Sequence, residues 1–439
     1  MSDALRKRLI DAVPTLSERV TAAAEPLLAL RSEDPAFRQL DGPMLLGLAR
    51  AISTHTETAG FLSHRPALLE RLARATASTL SETERALESW AFEDVEDLES
   101  CLDALRLLRR EETVVAGCLQ YAGINSFDEV SRFLSILAET ITQRALELAL
   151  AHVRLSETPS FAVIGMGKLA GMEFTYHSDL DLIFLTEGGA DAVDAASRIG
   201  QRLISYLATM TGAGVAYSVD TRLRPSGGQG TLVTTFSAFE RYQCERAQTW
   251  EHLAMLRARP IAGATESAQV TLDRVRESIL PGHAPPWQEL IAIRKRVEKE
   301  RGAEKVDTLT YKTGPGGLMD VDFLAGGGLL ERGERGCPAL PSVPAMLRHA
   351  ASGPAVEALL EQYGFVRQVE AAARWMSGRG VEALSTDSDS LKAAAVLTDL
   401  GPDGPDGPAL QRRLVATLGE IRRVYDQVAK AGSIGALET

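Results

Sequence analysis

Two periodicities divide this chain. Up to about residue 155 apolar residues recur at helical spacing, as in Leu102, Leu105 and Leu108, or Leu134, Leu137 and Ile141. Residues three and four apart share one face of a helix, and no strand-like run interrupts the series, so a helical bundle is expected. The segment Ser156–Ser160, SETPS, breaks helix and opens a region of different pattern. There FAVIG and LIFL are short apolar runs of strand length at 161–165 and 182–185. Between them lies a Gly-rich turn, GMGKLAG, at 165–171. Val193, Ala196, Ile199, Leu203 and Leu207 form one stripe, which predicts a helix over Asp191–Met210 packed on a sheet. Gly214–Arg224 alternates as a strand, Thr231–Thr234 reads as a short edge strand, and Ser237–Arg257 as one helix. From about Pro285 helical patterning returns, including the charged Ile291–Arg301, with a turn at 314–317 and an exposed loop at Gly401–Pro408. Three domains follow: 1–155 helical, 156–284 catalytic, 285–439 a helical bundle. The class is α+β.

The chemistry concentrates where the second apolar run begins. Side chains alternate across a strand, so Asp179 and Asp181 share one face while Leu180 and Leu182 point into a core. Two carboxylates on a rigid strand form a hard-oxygen site suited to Mg²⁺. A glycine turn just before them lets backbone approach phosphates closely. The turn fits G-x-G-x-x-A, but a dinucleotide fold places its acid about 20 residues on, at the far end of the second strand. Here both acids precede the strand body. Walker A fails too, because Leu169 follows Lys168. Asp220, on the expected neighbouring strand, completes a three-carboxylate set of the kind that holds two metals for phosphoryl transfer. Arg222 and Arg224 follow it and carry guanidinium forks that suit phosphate oxygens. Ser178, Lys168 and Lys312 are further candidate phosphate ligands. His177, beside the acids, can titrate near neutrality; Trp250 is expected in the core and His252 as a packed polar residue.

At these residues the chain resembles the glutamine synthetase adenylyltransferases, members of the polymerase-β-like nucleotidyltransferase superfamily. GMGKLAG-x-EFTYHSDLDLIFL, YSVDTRLRPSGGQGTLVT, AFERYQ, TWEHLAMLRARPIAG and KTGPGGLMDVDFL occur in the family's order, densest over Phe161–Leu324. Gly167-Lys168 stands in the place of the superfamily's Gly-Ser turn. The resemblance implies a polymerase-β-like domain, a small mixed sheet with helices, flanked by helical bundles. It implies AMP transfer from ATP to a tyrosine of glutamine synthetase, with Mg²⁺ on Asp179, Asp181 and Asp220. Nucleotide contacts would come from Gly167, Lys168, Gly171, Ser178, Arg222, Arg224 and Lys312. Family members usually carry two modules; this chain resembles the attaching, C-terminal one through RLRPSG and TWEH. A PII-type signalling protein is a further expected partner. Departures stand at Ala170 for glycine, His177 for serine, and Asp322 for glutamate; Ala325-Gly326 replaces the usual Val-Gln. Phosphorolytic removal of AMP, transfer to a small hydroxylated molecule, and a non-catalytic regulatory module remain as alternatives.

Composition narrows the class. With 47 basic against 59 acidic residues the formal charge is −12, which argues against a general nucleic-acid surface. Cys101, Cys118, Cys244 and Cys337 are widely spaced and read as buried or free thiols of a reducing compartment. No apolar run reaches membrane-spanning length, and MSDALRKRLIDAV lacks a signal-peptide core, so a cytoplasmic protein without membrane contact is expected.

Overall fold

A computed structural model describes residues 2–153, 158–280, 287–302, 307–334, 339–398 and 406–438. Helices fill the chain up to His152, ending with the long pair Leu98–Tyr121 and Phe127–His152. The second of these starts on a capping box, in which Ser126 and Glu129 satisfy each other's backbone amides. Ser156 and Glu157, two of the five residues of the expected helix breaker, lie outside the described residues, as do Pro285, Cys337 and residues 401–405 of the expected loop. Within that loop's span Asp406 caps the final helix, Gly407–Ala431.

The central sheet consists of β1 (Phe161–Gly165), β2 (Leu180–Thr186), β3 (Val219–Asp220), β4 (Val233–Thr235) and β5 (Arg259–Gly263). Its order is β3-β2-β1-β5. β1 pairs antiparallel with β2 and β5, whereas β3 and β4 pair parallel with β2, one after the other along its remaining edge. The sheet is therefore mixed. Its strands are apolar on both faces because both faces are covered. Val163, Leu182 and Phe184 pack into a core shared with the N-terminal helices and with Ala190–Ala208. Ile164, Ile183 and Leu185 pack into a second core with the C-terminal helices and with Thr265–Ile279. Helix Pro354–Ser377 feeds both: Ala371, Ala372 and Trp375 enter the first core, Val366, Val369 and Ala373 the second.

Several expectations are corrected. The strand expected over Gly214–Arg224 shrinks to Val219–Asp220, because the chain turns repeatedly from Thr221 to the Gly227–Gln229 helical turn. The helix expected over Ser237–Arg257 is two, Phe236–Glu245 and Thr249–Leu256. The Tyr242 carbonyl accepts from both Arg246 and Ala247 amides, closing the first; Gln248 and Glu251 then form a new capping box. Trp250 is not core: it is 36% exposed and donates its ring N–H to Gln248 Oε1 at 2.9 Å. Strand β5 and a two-stranded sheet of β6 (Thr308–Thr310) and β7 (Ala383–Ser385) were not anticipated. All are five residues or fewer and none is an uninterrupted apolar run like FAVIG: β5 opens on Arg259-Pro260, and β6 and β7 carry Thr and Ser.

Candidate functional site

The first strand ends at Gly165, and the chain turns through Gly167 into the short helix Gly167–Ala170. Gly167 has φ +53°, a conformation that costs other residues energy, and a Cβ there would lie 3.0 Å from Asp181 Oδ2. Turn and carboxylate are thus in direct apposition. The Met166 amide donates to the Asp181 carbonyl at 2.9 Å, which fixes the start of β2 beneath the turn. Asp179 is exposed just before the strand, and Asp181 is half-buried on it. Asp181 pairs in register with Asp220 on β3.

Electrostatics differ sharply among the three acids. Burial, the Asp220 charge and the Asp179 charge push the Asp181 carboxyl up to about 6. It makes no hydrogen bond or ion pair with another described residue. Asp220 is instead held below the usual carboxylate range by its hydrogen bonds to Arg222. The Arg222 backbone N–H donates to Asp220 Oδ1 at 2.8 Å, and its guanidinium Nε to Oδ2 at 2.8 Å. This carboxylate is turned toward Arg222, so among the described residues no three acidic, His or Cys side chains converge as a metal-ligand set. The donors themselves suit a hard divalent ion. An unpartnered, half-buried carboxylate pressed by two like charges is relieved by a cation.

The expected phosphate ligands fall into two groups. Gly167 and Ser178 lie beside the acids. Lys168, by contrast, is ion-paired with Glu370, a fully buried carboxylate on helix Pro354–Ser377. Ser178 is buried and its Oγ accepts from Arg374 Nη1, on the same helix, at 3.1 Å. Gly171 is a packing glycine: a Cβ would approach within 2.3 Å of Arg257 Nη2. Arg222 and Arg224 do not share a strand face, since the strand stops before them. Arg224 folds back, Nη1 donating to the Thr221 carbonyl and hydroxyl, both at 2.8 Å. Lys312 pairs with Glu382 at 2.5 Å, yet its charge still acts to lower Asp181. The 314–317 turn is fixed by Asp320, which accepts the Gly316 amide at 2.8 Å and ion-pairs with buried Arg294 at 2.5 Å.

His177 sits at φ 50°, a left-handed conformation rare for a non-glycine residue. Burial, with Arg109 next, drives its imidazole down to about 3, so it is neutral at pH 7. Arg109 Nη2 lies 3.5 Å from its Nδ1, which leaves the ring proton on Nε2. His252 Nε2 meets the Gln243 carbonyl at 3.0 Å, a packed polar role as expected. A cleft of about 560 Å³ opens beside Asp179, with Arg109, Arg379, His55 and His177 on its walls. The sequence reasoning missed Glu370 and Arg374. Their one local signal is Arg367-x-x-Glu370-x-x-x-Arg374 in an otherwise apolar stretch, i,i+3 and i,i+4 spacings that place all three on one face.

A mixed sheet with a glycine turn feeding a helix, an acid pair opening the next strand and a third acid in register beside it defines a nucleotidyltransferase domain of the polymerase-β-like type, here flanked by helices. Comparison with known proteins sharpens this. The family model for glutamate-ammonia ligase adenylyltransferase matches residues 46–274, and the chain belongs to that family. Its relatives include the bifunctional glutamine synthetase adenylyltransferase/adenylyl-removing enzymes of Thioalkalivibrio sulfidiphilus, 31% identical over 361 residues, and of Neisseria meningitidis serogroup A, 35% identical over 327. The alignments cover 73% and 72% of this chain but 37% and 35% of those enzymes. The Stenotrophomonas maltophilia enzyme is similar, 31% identical over 379 residues, 76% of this chain and 39% of the relative. The chain spans little more than a third of the length of the curated relatives it matches. Among the described residues no helix is long and apolar enough to cross a membrane.

Proposed function

We propose that this chain transfers AMP from ATP to a tyrosine hydroxyl of glutamine synthetase, with Mg²⁺ as its cofactor. The observation that carries this reading is the register pairing of Asp181 with Asp220 beneath the Gly167 turn, in a chain of this family. Asp179, Asp181 and Asp220 would hold Mg²⁺, which when bound supplies neutralisation of phosphate charge and acidification of the acceptor hydroxyl. The Gly167 turn gives backbone access to the nucleotide phosphates. Arg222, 72% exposed, is free to leave Asp220 for the α-phosphate. As it leaves, Asp220 regains basicity and can accept the tyrosine proton. The tyrosine oxygen then bonds to the α-phosphorus, the bond to the β-phosphate bridging oxygen breaks, and pyrophosphate departs. Positioning and charge supply most of the acceleration, as in other phosphoryl transfers.

Transfer of label from α-³²P-ATP to purified glutamine synthetase, lost on replacing the acceptor tyrosine with Phe, tests the proposal. An absence of labelling by the wild-type chain with Mg²⁺ present overturns it. The relatives' names carry a removing activity as well, so the same assay is run backwards, with adenylylated glutamine synthetase and phosphate. ADP release without forward labelling assigns the removing reaction instead. A PII-type partner is tested by whether that protein alters the forward rate. A cytoplasmic location follows from these proposed substrates and partners.

A further inference from the structure

Glu370 lies far from the acids in sequence and outside the segment matched by the family model, yet it touches the same loop. Its side chain is 0% exposed. Three cations converge on it: Lys168 and Arg367 as direct ion pairs, and Arg374 with Nε 3.3 Å from Oε1. One arm, Lys168, ends in the turn whose Gly167 abuts Asp181. The other, Arg374, reaches Ser178 Oγ at 3.1 Å and the His177 carbonyl at 3.5 Å, next to Asp179. Arg367 ties the same cluster to the carbonyl of Glu173 between them.

Other acids lie near these cations: Glu173 acts on Arg367, Asp322 on Lys168 and Arg367, and Glu382 on Arg374. Glu370 is the carboxylate that touches all three directly. Burial alone drives the Lys168 ammonium well below its ordinary range, and Glu370 is the first influence that opposes this. Arg367, Arg374 and Lys312 push in the same direction as burial, so Glu370 is what favours the charged form of Lys168. Lys168 and Arg374 lie at the Gly167 turn and at Ser178, the two places where an incoming polyphosphate would meet the acids.

We propose that Glu370 is a positioning residue that holds Lys168 at the Gly167 turn and Arg374 at Ser178 for the nucleotide phosphates, so that the C-terminal helices form part of the nucleotide site. This rests on the nucleotidyl-transfer reading above. It is tested with Glu370→Gln, which removes charge at constant shape, and with Arg374→Met, which leaves Glu370 paired to Lys168 and Arg367. Mg²⁺–ATP affinity is measured by titration calorimetry, folding by circular dichroism, and KM for ATP and for glutamine synthetase separately. Lost charge-assisted contacts predict ATP binding weakened about tenfold or more in each folded variant. KM for ATP should rise in parallel while KM for the acceptor protein stays at the wild-type value. Glu370→Asp should recover part of the affinity, which a packing role alone would not give. Wild-type ATP affinity in either folded variant overturns the proposal, and so does loss of folding in both, which would make the cluster purely structural. If the wild-type chain binds ATP but labels no glutamine synthetase, the transfer reading fails while the calorimetry still decides the role of Glu370.

Discussion

Asp181 and Asp220 stand opposite each other in register on adjacent parallel strands, and among the described residues only Asp220 has a cation for a partner. Arg222 draws the Asp220 carboxylate below its usual range, while burial and two neighbouring acids lift Asp181 to about 6. The pair is split into one acid already satisfied and one that is not.

Replacing Asp181 with Asn should therefore separate catalysis from stability. A pKa difference of one corresponds to about 1.4 kcal/mol, so ionised Asp181 costs the metal-free fold roughly 2–3 kcal/mol near neutrality. Because the folded value is raised, this cost grows as pH rises from about 4 through 6. Asp181→Asn should melt higher than wild type at pH 7 without Mg²⁺, and no higher at pH 4. Transfer should fall at least about 100-fold, as expected on losing a metal-ligand charge. Scanning calorimetry at the two pH values checks the first point; a variant retaining most of its transfer activity would remove Asp181 from the mechanism.

Gly167→Ala adds a methyl group where φ is +53° and Asp181 Oδ2 is 3.0 Å away. The left-handed conformation alone should cost about 1–2 kcal/mol. ATP affinity should fall further than global stability does, because the displaced atom is the carboxylate oxygen. Comparing the urea midpoint with the ATP dissociation constant decides this.

His177 gives a pH dependence of opposite sign. Its folded value is depressed to about 3, so below the ordinary histidine value the unfolded chain binds a proton that the folded chain refuses. Stability tied to this residue is complete above about 6.5 and declines as pH falls, by about 2 kcal/mol at pH 5. His177→Asn keeps a residue that tolerates left-handed backbone and removes the titration. The fall in melting temperature between pH 7 and pH 5 should shrink in this variant. An unchanged fall would place the acid sensitivity elsewhere.

Asp320→Asn breaks the buried pair with Arg294, both side chains being 0% exposed. Arg294 keeps the Gly314 carbonyl at 2.8 Å and Glu298 at 3.4 Å, so the cost should be about 2–3 kcal/mol, short of the ~3–5 of a buried charge left with no partner. Chemical denaturation should show a loss of that order, with ATP affinity of the folded fraction changed far less. Joint replacement, Asp320→Leu with Arg294→Met, should recover much of the stability.

The acid pair, the glycine turn and the helix behind them were legible because each is a local pattern: a two-residue alternation, a conformational demand, a single apolar stripe. The observed Ala190–Ala208 departs from the expected helix by a residue or two at its ends. What escaped was set by distant partners. Lys168 in the sequence is a free cation after a glycine; in the fold it is paired with a carboxylate that no local pattern links to it. Arg222 and Arg224 suggested a strand face, but turns over 221–230 took precedence. Trp250 suggested a core, yet its helix presents it to solvent and Gln248. Among the described residues β5 pairs only with β1, so its short run carries no signal apart from that partner.

Helix Pro354–Ser377 lends residues to the packing on both sides of the sheet, and Trp375 on it lies against Tyr121 and Tyr176. A hinge needs a plane along which two bodies can part, and this helix is stitched across the plane where one would lie. Swinging the C-terminal helices away from the sheet would pull Trp375 out of its aromatic surroundings and drag Arg374 off Ser178 together. ATP and its acceptor should accordingly meet a cleft whose walls are already set, with adjustment left to side chains such as Arg222. Heating should dissolve the described helices and the sheet in one step, since no part can melt without taking a wall from its neighbour.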